Sequence, residues 1–580
     1  MNASRRPAKP EQKGAGLPEI RLDGAAWPGL LESPEKAALE KVLPAYIRAC
    51  RWYGGKARAI KKLGISGLIN IGCGSMPLAL LEILYSHGAP QTYLLPLAWK
   101  EDSRGAGILK FAPAALIAKL ELSGRRGFLY DAAYDKEFHA AFLALLSGTR
   151  LPKNCSPGLA VEQNKPLLKA ALRKNPAAPG SRLLSGEQSN TSIVYGRFFF
   201  SKLFRRLEKG INPDVEIGAR LTKSRLFSGM PPFLASTSLY RKGKFYGVLG
   251  LLQGYIPSRG DSWTYALEQV SAYYKRVLSS ASRAGPAPVA PDPLAPGPDS
   301  AARPPGRLIG EDCLRLMSLL GRRTAEMHLA LYSAGSDPAF LPETFGPASR
   351  RSARRSMAEL GSASLRLLSR KLKDLPRPLR PGASLLLSSR PAVLSAFGAV
   401  TEKGGALKKI RVHGDFHLGQ VLFTGRDFVI IDFEGEPAKP ISERRLKHSA
   451  LRDVAGMLRS FHYAAWAPFC LRADLPAGDR RALGPWAELW YSAVSASFLK
   501  AYFRTCGKAA FLPGDLAQSA ALLRAFLMEK AAYELSYELN NRPGWVAIPL
   551  KGLLQLLGRA GEPGCAAVPR EKRGGNVGRS

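Results

Sequence analysis

The sequence lacks several features that would narrow its function at once. Its apolar runs fall short of the roughly 20 residues that span a bilayer. Its start, Met1-Asn2-Ala3-Ser4-Arg5-Arg6-Pro7, has no apolar core of a secretion signal. A cytoplasmic chain with no membrane attachment is expected. Cysteine is scarce: seven in 580 residues, an odd and scattered set without a C-x-x-C pair. This argues against a disulfide framework or a zinc site and fits a reducing compartment. Acidic residues are also short, 46 Asp+Glu against 84 Lys+Arg, which leaves a net charge of +38. Such an excess invites a nucleic-acid reading. The cations are spread along the chain, however, with no RNP-type aromatic box, no finger spacing and no basic heptad helix. No nucleic-acid partner is expected, and a diffuse positive field serves an anionic nucleotide equally well. No internal repeat is found.

What is present is ordinary for a globular protein: 46% hydrophobic and 22% charged residues. At about 150 residues per domain, the length predicts three or four domains. Residues 1–18 read as a disordered polar tail. Residues 19–184 read as an α+β cap, with strands at Leu78–Tyr85 and Thr92–Leu97 about a His87-Gly88-Ala89-Pro90 turn and a helix over Glu137–Leu146. Residues 185–280 read as a second α+β region. There Ser192–Tyr195 and Phe198–Phe204 flank Gly196-Arg197 as a hairpin, Asn212-Pro213-Asp214 opens a helix, and Phe245–Leu252 is a further strand. Residues 281–306, rich in Pro, Gly and Ala and without periodicity, read as a disordered insertion that makes few buried contacts. Helical periodicity then dominates 307–557, broken only at 409–433, and 558–580 read as a disordered basic tail.

The chemistry concentrates between Ile410 and Pro437. A short strand, Ile410-Arg411-Val412, leads into His413-Gly414-Asp415-Phe416-His417-Leu418-Gly419-Gln420. Strand Val421–Phe423, a turn at Thr424–Asp427 and strand Phe428–Ile431 follow, then Asp432-Phe433-Glu434-Gly435-Glu436-Pro437. A hairpin with a polar loop before its first strand and an acid after its second brings Asp415, Gln420 and Asp432 to one end of one sheet. Phosphoryl transfer needs that set: a carboxylate near the attacking hydroxyl and oxygen ligands for magnesium.

These residues resemble the catalytic hairpin of the protein-kinase-like fold, as in aminoglycoside phosphotransferases and choline kinases. Five further features are similar to maltokinases: Gln420 where most relatives carry Asn, Asp432-Phe433-Glu434-Gly435-Glu436-Pro437, Leu451–Phe461, Arg51-Trp52-Tyr53-Gly54-Gly55-Lys56, and Tyr533-Glu534-Leu535-Ser536-Tyr537-Glu538-Leu539-Asn540-Asn541-Arg542-Pro543. Glu187–Ser192 with Lys202-Leu203-Phe204-Arg205-Arg206-Leu207 resembles the nucleotide lobe of that family, and Glu443-Arg444-Arg445-Leu446-Lys447 its following loop. The resemblance implies a bilobal, protein-kinase-like α+β fold: an N-terminal α+β cap, a nucleotide lobe over 185–280 and a mainly helical C-lobe. It implies ATP and Mg2+ as cofactors and maltose as acceptor, phosphorylated at its anomeric hydroxyl. The product, maltose 1-phosphate, would feed α-glucan synthesis, with trehalose synthase as the partner supplying maltose.

The roles implied follow. Lys202, at a strand end, reaches the nucleotide phosphates and is held by Glu216 near a helix start. Gln188, Ser189, Asn190 and Thr191 form a phosphate-covering turn that lacks both G-x-G-x-x-G and a Walker lysine. Gln253 and Tyr255 follow a strand as the hinge for adenine, and Asp261 beyond them caps a helix or lines the pocket. Asp415 aligns the acceptor hydroxyl, while Gln420 and Asp432 hold the metal. His413 braces the loop, His417 approaches the acceptor, and Asp453 hydrogen-bonds the loop or caps its helix. Lys530, Tyr533, Glu534, Tyr537 and Glu538 share one helical face suited to a sugar. Two competing readings are another small-molecule kinase of the aminoglycoside or choline type and a polyanion-binding pseudokinase. Lys530 and the net charge weigh against a cationic acceptor, and the intact Lys202, Asp415, Gln420 and Asp432 weigh against a pseudokinase.

Overall fold

The structure, a computed structural model, describes residues 16–23, 26–102, 110–148, 151–174, 180–184, 189–279, 289–295, 306–333, 335, 337–401, 407–471 and 476–559. These form two compact units. One contains the residues up to Ala219 together with Pro232–Tyr255; the other contains Arg220–Pro231 and the residues from Ile256 on.

The first unit is built on two sheets. The larger takes β1 (Glu19–Leu22), β2 (Ile60–Ile69), β3 (Leu78–Tyr85), β4 (Gln91–Glu101), β5 (Leu116–Leu122) and β6 (Arg125–Asp131) in the order β1-β5-β6-β4-β3-β2. Successive side chains of a strand point to opposite faces, and β3 shows what that does here. Leu78 and Leu80 enter a core with Phe138 and Phe142 of helix α2 (Lys136–Ser147). Ala79, Leu81 and Ile83 enter another with Leu39, Leu43 and Ile47 of helix α1 (Lys36–Ala49). The sheet is therefore buried on both faces here, which is why β3 opens on four consecutive apolar residues, Leu78–Leu81.

The second sheet has the order β7-β12-β13-β10-β9-β8. It contains β7 (Leu159–Gln163), β8 (Ser181–Leu183), β9 (Thr191–Tyr195), β10 (Phe199–Leu203), β12 (Phe233–Arg241) and β13 (Lys244–Gly254). The expected boundary at 184/185 is corrected here. β7 and β8, from the expected cap, pair with β12 and β9 of the nucleotide sheet. Conversely β11 (Arg206–Leu207) pairs with β4 of the cap sheet. Backbone groups at a sheet edge find partners wherever the chain passes, irrespective of sequence order.

A buried ion pair joins the two sheets. Arg205, 1% exposed, donates from Nη2 to Asp131 at 2.7 Å, from Nε to the Thr191 hydroxyl at 2.6 Å and from Nη1 to the Leu94 carbonyl at 3.3 Å. Its guanidinium lies 4.8 Å over the Trp52 ring.

The second unit is mainly helical. Its principal helices are α4 (Ser262–Ser279), α5 (Glu311–Tyr332), α6 (Pro347–Arg370), α7 (Leu451–Leu471), α8 (Ala477–Cys506) and α9 (Leu516–Asn541). The helix α4, placed by sequence in the nucleotide lobe, belongs to this unit, so the expected limit at 280 is also corrected. The chain reaches it through Arg259 and Gly260, which exchange backbone hydrogen bonds with Phe423 at 2.8 and 2.9 Å.

The described part of the expected disordered insertion, 289–295, packs against the helices. Leu294 is 7% exposed, Asp292 pairs with Arg524 of α9 at 2.5 Å, and the Pro291 carbonyl accepts from Ser492 of α8. Composition did not foresee these contacts in the described part of the segment. The expected tails lie outside the described residues, apart from Gly16–Pro18 and Gly558–Arg559. Among the described residues the six cysteines are free thiols, and no single helix is long and apolar enough to cross a membrane.

Candidate active site

The second unit carries a hairpin of two three-residue strands. β16 (Val421–Phe423) pairs antiparallel with β17 (Phe428–Ile430), Val421 opposite Ile430. The pairing extends one residue further, since the Ile431 N–H donates to the Gln420 carbonyl at 3.0 Å. Gln420 and Asp432 thus face each other where the hairpin ends, and Gln420 Nε2 donates to Asp432 Oδ2 at 2.8 Å. Asp432 has φ +67, in the left-handed region that non-glycine residues seldom occupy. Such a conformation persists where the surroundings enforce it. The expected strand before the loop is corrected: β15 is confined to Lys408–Lys409, opposite β14 (Glu343–Thr344), and Ile410 instead exchanges two backbone hydrogen bonds with His448.

Helix α7 holds the loop that contains Asp415. Asp453, in its first turn and 2% exposed, accepts from the backbone N–H of His413 at 2.7 Å and of Gly414 at 3.0 Å. It also lies 3.1 Å from His328 Nε2 of α5. Burial pushes its carboxyl up, but His328 and these N–H groups outweigh that and hold it below the usual range. The helix approaches the loop so closely that a Cβ at Gly456 would lie 2.5 Å from the Phe416 carbonyl. His413 braces the other side, its Nε2 being 2.9 Å from the Ile431 carbonyl.

Asp415 is thereby presented at the surface of the loop, 22% exposed, with Lys530 Nζ of α9 at 3.5 Å and His417 Nε2 at 3.9 Å. Burial disfavours the Lys530 ammonium, yet Asp415, Glu534 and Glu436 outweigh it and raise its pKa. The 530–538 face divides in two. Lys530 and Tyr533 lie beside Asp415 and Glu436, with the ammonium 5.2 Å over the Tyr533 ring. Glu534 turns instead to Arg459 of α7 at 2.8 Å, and Glu538 accepts from Tyr463 at 3.1 Å. The acceptor role expected of Glu534 is corrected on that ground: its carboxylate holds two helices together. Tyr537 is 42% exposed, under the Arg542 guanidinium.

The first unit carries the residues expected to handle nucleotide. Lys202 sits on β10 between Ser192 and Leu251. Its ammonium lies 2.8 Å from the Asp214 carboxylate at the start of α3 (Pro213–Ser224), the two side chains being 4% and 0% exposed. Glu216, named from sequence as its partner, is two residues further on and half-buried. Asp214 was missed because two acids stand in the first turn, and placing each of them needs the rotation of the helix about its axis. Thr191 is also corrected: its hydroxyl accepts from buried Arg205. Ser189 and Asn190 are half-buried, and Gln188 lies outside the described residues. Gln253 is buried at the end of β13, and the Tyr255 N–H donates to the Phe198 carbonyl at 2.9 Å. Tyr255 is also where the first unit ends. Asp261 acts as a cap, accepting from the Thr264 N–H at 2.7 Å.

Comparison with known proteins now bears on this arrangement. Residues 46–135 match the maltokinase N-terminal cap domain. A solved glucosamine kinase in complex with glucosamine, ADP and inorganic phosphate superposes with a TM-score of 0.55 at 19% identity, over 92% of this chain and 99% of that one. The chain has a kinase-like α+β fold. In sequence, the chain is 25% identical over 387 residues to a glucosamine kinase of Streptacidiphilus jiangxiensis, 66% of this chain and 75% of that protein. It is 24% identical over 410 residues to the glucosamine kinase of Mycolicibacterium smegmatis, 70% of this chain and 86% of that protein.

Proposed function

We propose that this chain is an ATP-dependent sugar kinase that phosphorylates maltose at its anomeric hydroxyl. The observation that carries the reading is the hairpin of the second unit. It sets Asp415 on one loop, held from behind by Asp453, and Gln420 beside Asp432 at the hairpin's end. Asp415 aligns the acceptor hydroxyl and takes its proton late, when the bond to phosphorus is largely formed, so position matters more than basicity. Gln420 and Asp432 offer oxygens to Mg2+, and the Asp432 and Glu434 carboxylate oxygens come within 4.8 Å of each other. This hard donor set suits the ion, which when bound neutralises charge on the transferring group. Lys202, fixed by Asp214, serves the nucleotide phosphates.

The charges around Asp415 favour a neutral acceptor. Asp415 and Glu436 are balanced by Lys530 and Lys439, which lies 3.0 Å from Glu436. Tyr533 and Tyr537 supply ring faces for the C–H side of a sugar. The product would enter α-glucan synthesis, with trehalose synthase as the source of maltose. A second reading, glucosamine as acceptor, is favoured by the names of the two sequence relatives.

A panel of maltose, glucosamine, glucose and an aminoglycoside with ATP and Mg2+, read by ADP release, separates the readings. Maltose is expected to give the highest kcat/KM, and Asp415→Asn to abolish turnover while maltose still binds by calorimetry. Preference for glucosamine would overturn the maltose reading and leave the kinase reading standing. No acceptor-dependent ADP release with any sugar would overturn both.

A further inference from the structure

The brace behind Asp415 does not end at Asp453. Asp453 Oδ2, which accepts from the His413 N–H, also lies 3.1 Å from His328 Nε2, and His328 Nδ1 lies 2.9 Å from the Tyr502 hydroxyl. Three helices thus contribute one group each: Asp453 from α7, His328 from α5 and Tyr502 from α8. These side chains belong to residues 2%, 0% and 0% exposed, so water does not replace a lost partner.

A close approach of two helices makes the outer contact possible. Gly321 stands two turns before His328 on α5, and Phe498 one turn before Tyr502 on α8. A Cβ at Gly321 would lie 2.2 Å from the Phe498 carbonyl, nearer than any side chain tolerates. The missing side chain lets α5 and α8 meet, and Tyr502 reaches His328 further along the same contact. Rings then fix both groups. Tyr502 stacks on Phe498 with centroids 6.4 Å apart, and the His328 ring meets Tyr502 edge-on at 87° and Phe511 at 74°.

The direction of each hydrogen bond follows from the chemistry of the ends. Asp453, kept ionised against its burial by His328 and the loop N–H groups, can only accept. Burial, with Cys506 and Asp453 adding to it, drives the Tyr502 phenol well above its ordinary range, so its O–H stays available to donate. The His328 nitrogen that faces Asp453 therefore carries a proton. In a neutral imidazole the other nitrogen is the acceptor, and the Tyr502 hydroxyl fills it. Tyr502 thus selects the tautomer that donates to Asp453.

We propose that Tyr502 is a positioning residue for phosphoryl transfer: through His328 and Asp453 it holds the His413–Gly414 backbone, and with it Asp415, in the pose that aligns the acceptor hydroxyl. The consequence for turnover rests on the kinase reading given above; the hold on the loop does not.

Tyr502→Phe removes the hydroxyl and keeps the ring. The full-length variant and the parent are compared by hydrogen–deuterium exchange and by steady-state kinetics with ATP, Mg2+ and the best acceptor of the sugar panel. Exchange should rise about 10-fold in peptides covering 411–415 and stay unchanged in those covering 421–430, because the loss is local. kcat should fall about 10-fold with both KM values held within about twofold, since a misplaced Asp415 penalises the transition state and spares binding. In a His328→Gln background, where the amide can still donate to Asp453, Tyr502→Phe should have no further effect. If Tyr502→Phe fails to fold, His328→Gln against His328→Leu stands in, and the leucine alone should release the loop. Unchanged exchange at 411–415, a uniform rise across the second unit, or unchanged kcat in an active parent would overturn the proposal. So would a full effect of Tyr502→Phe in the His328→Gln background, or equal protection in the stand-in pair. A parent without acceptor-dependent ADP release would overturn the kinase reading instead, and the exchange result would decide the proposal by itself.

Discussion

Two ion pairs, one in each unit, show how differently the halves of this protein use charge. Lys202 and Asp214 meet at 2.8 Å with 4% and 0% exposure, whereas Asp415 and Lys530 stand 3.5 Å apart with 22% and 32% exposure. Coulomb attraction grows as water is excluded, and screening by salt reaches exposed charges far more than buried ones. The first pair therefore fixes a strand to a helix. The second leaves its carboxylate partly open to solvent. A sealed pair is an investment in geometry; an open one is an arrangement for access.

Mutating the sealed pair should produce the largest change. Asp214→Asn removes the carboxylate beside a buried ammonium and should destabilise the first unit by about 3–5 kcal/mol, read by denaturant unfolding. Glu216→Gln should shift it by less than about 1 kcal/mol. The reverse ranking would make Glu216 the effective counter-ion. On the open side, Asp432→Asn should leave the fold intact and lower turnover by about 100-fold or more, about 2.7 kcal/mol at 1.36 per decade. Near-normal turnover at saturating Mg2+ would relocate the metal.

The interior of the second unit gives two intermediate tests. Leu294→Ala should lower stability by about 2 kcal/mol if the 289–295 segment is a packed part of the unit. An unchanged melting temperature would restore the disordered-insertion reading. Protons supply the other test. Burial drives the pKa of His462, 1% exposed, well below its ordinary 6.5, and pushes His448 down to about 3. The unfolded chain takes up these protons and the folded one resists them. Stability is therefore full above pH 6.5 and falls as pH drops below it, by at most about 1.4 kcal/mol per histidine per pH unit. His462→Gln should flatten that slope in melts recorded between pH 7 and 5; an unaltered slope would assign the acid sensitivity elsewhere. The smallest effect is expected at the most exposed residue. Tyr537→Ala should raise the acceptor KM by roughly 10-fold, about 1.4 kcal/mol, and leave the KM for ATP alone. If acceptor binding is unchanged, Tyr537 makes no contact with the sugar.

Much of the second unit's site was legible because its residues are close in sequence. Asp415, Gln420 and Asp432 lie within 18 positions, and a two-strand hairpin has few ways to arrange them. The brace from Asp453 was legible as one of two uses for an acid opening a helix. Thr191 was misread because a small polar residue after a loop looks the same whether it faces phosphate or a buried arginine. Glu534 was misread because helical periodicity identifies a face but not what that face meets.

The local pieces were set by the sequence alone: which runs are strands and helices, and the order of groups along the Asp415–Asp432 hairpin. Periodicity and turn chemistry act over a few residues, so a single chain carries them openly. The tertiary structure alone decided that Asp214 meets Lys202 and that β7 and β8 join the second sheet. It also decided that Arg205 joins two sheets through Asp131, 74 positions away. These depend on the relative rotation and approach of elements distant in sequence. Packing and burial fix those quantities, and no short stretch of residues records them.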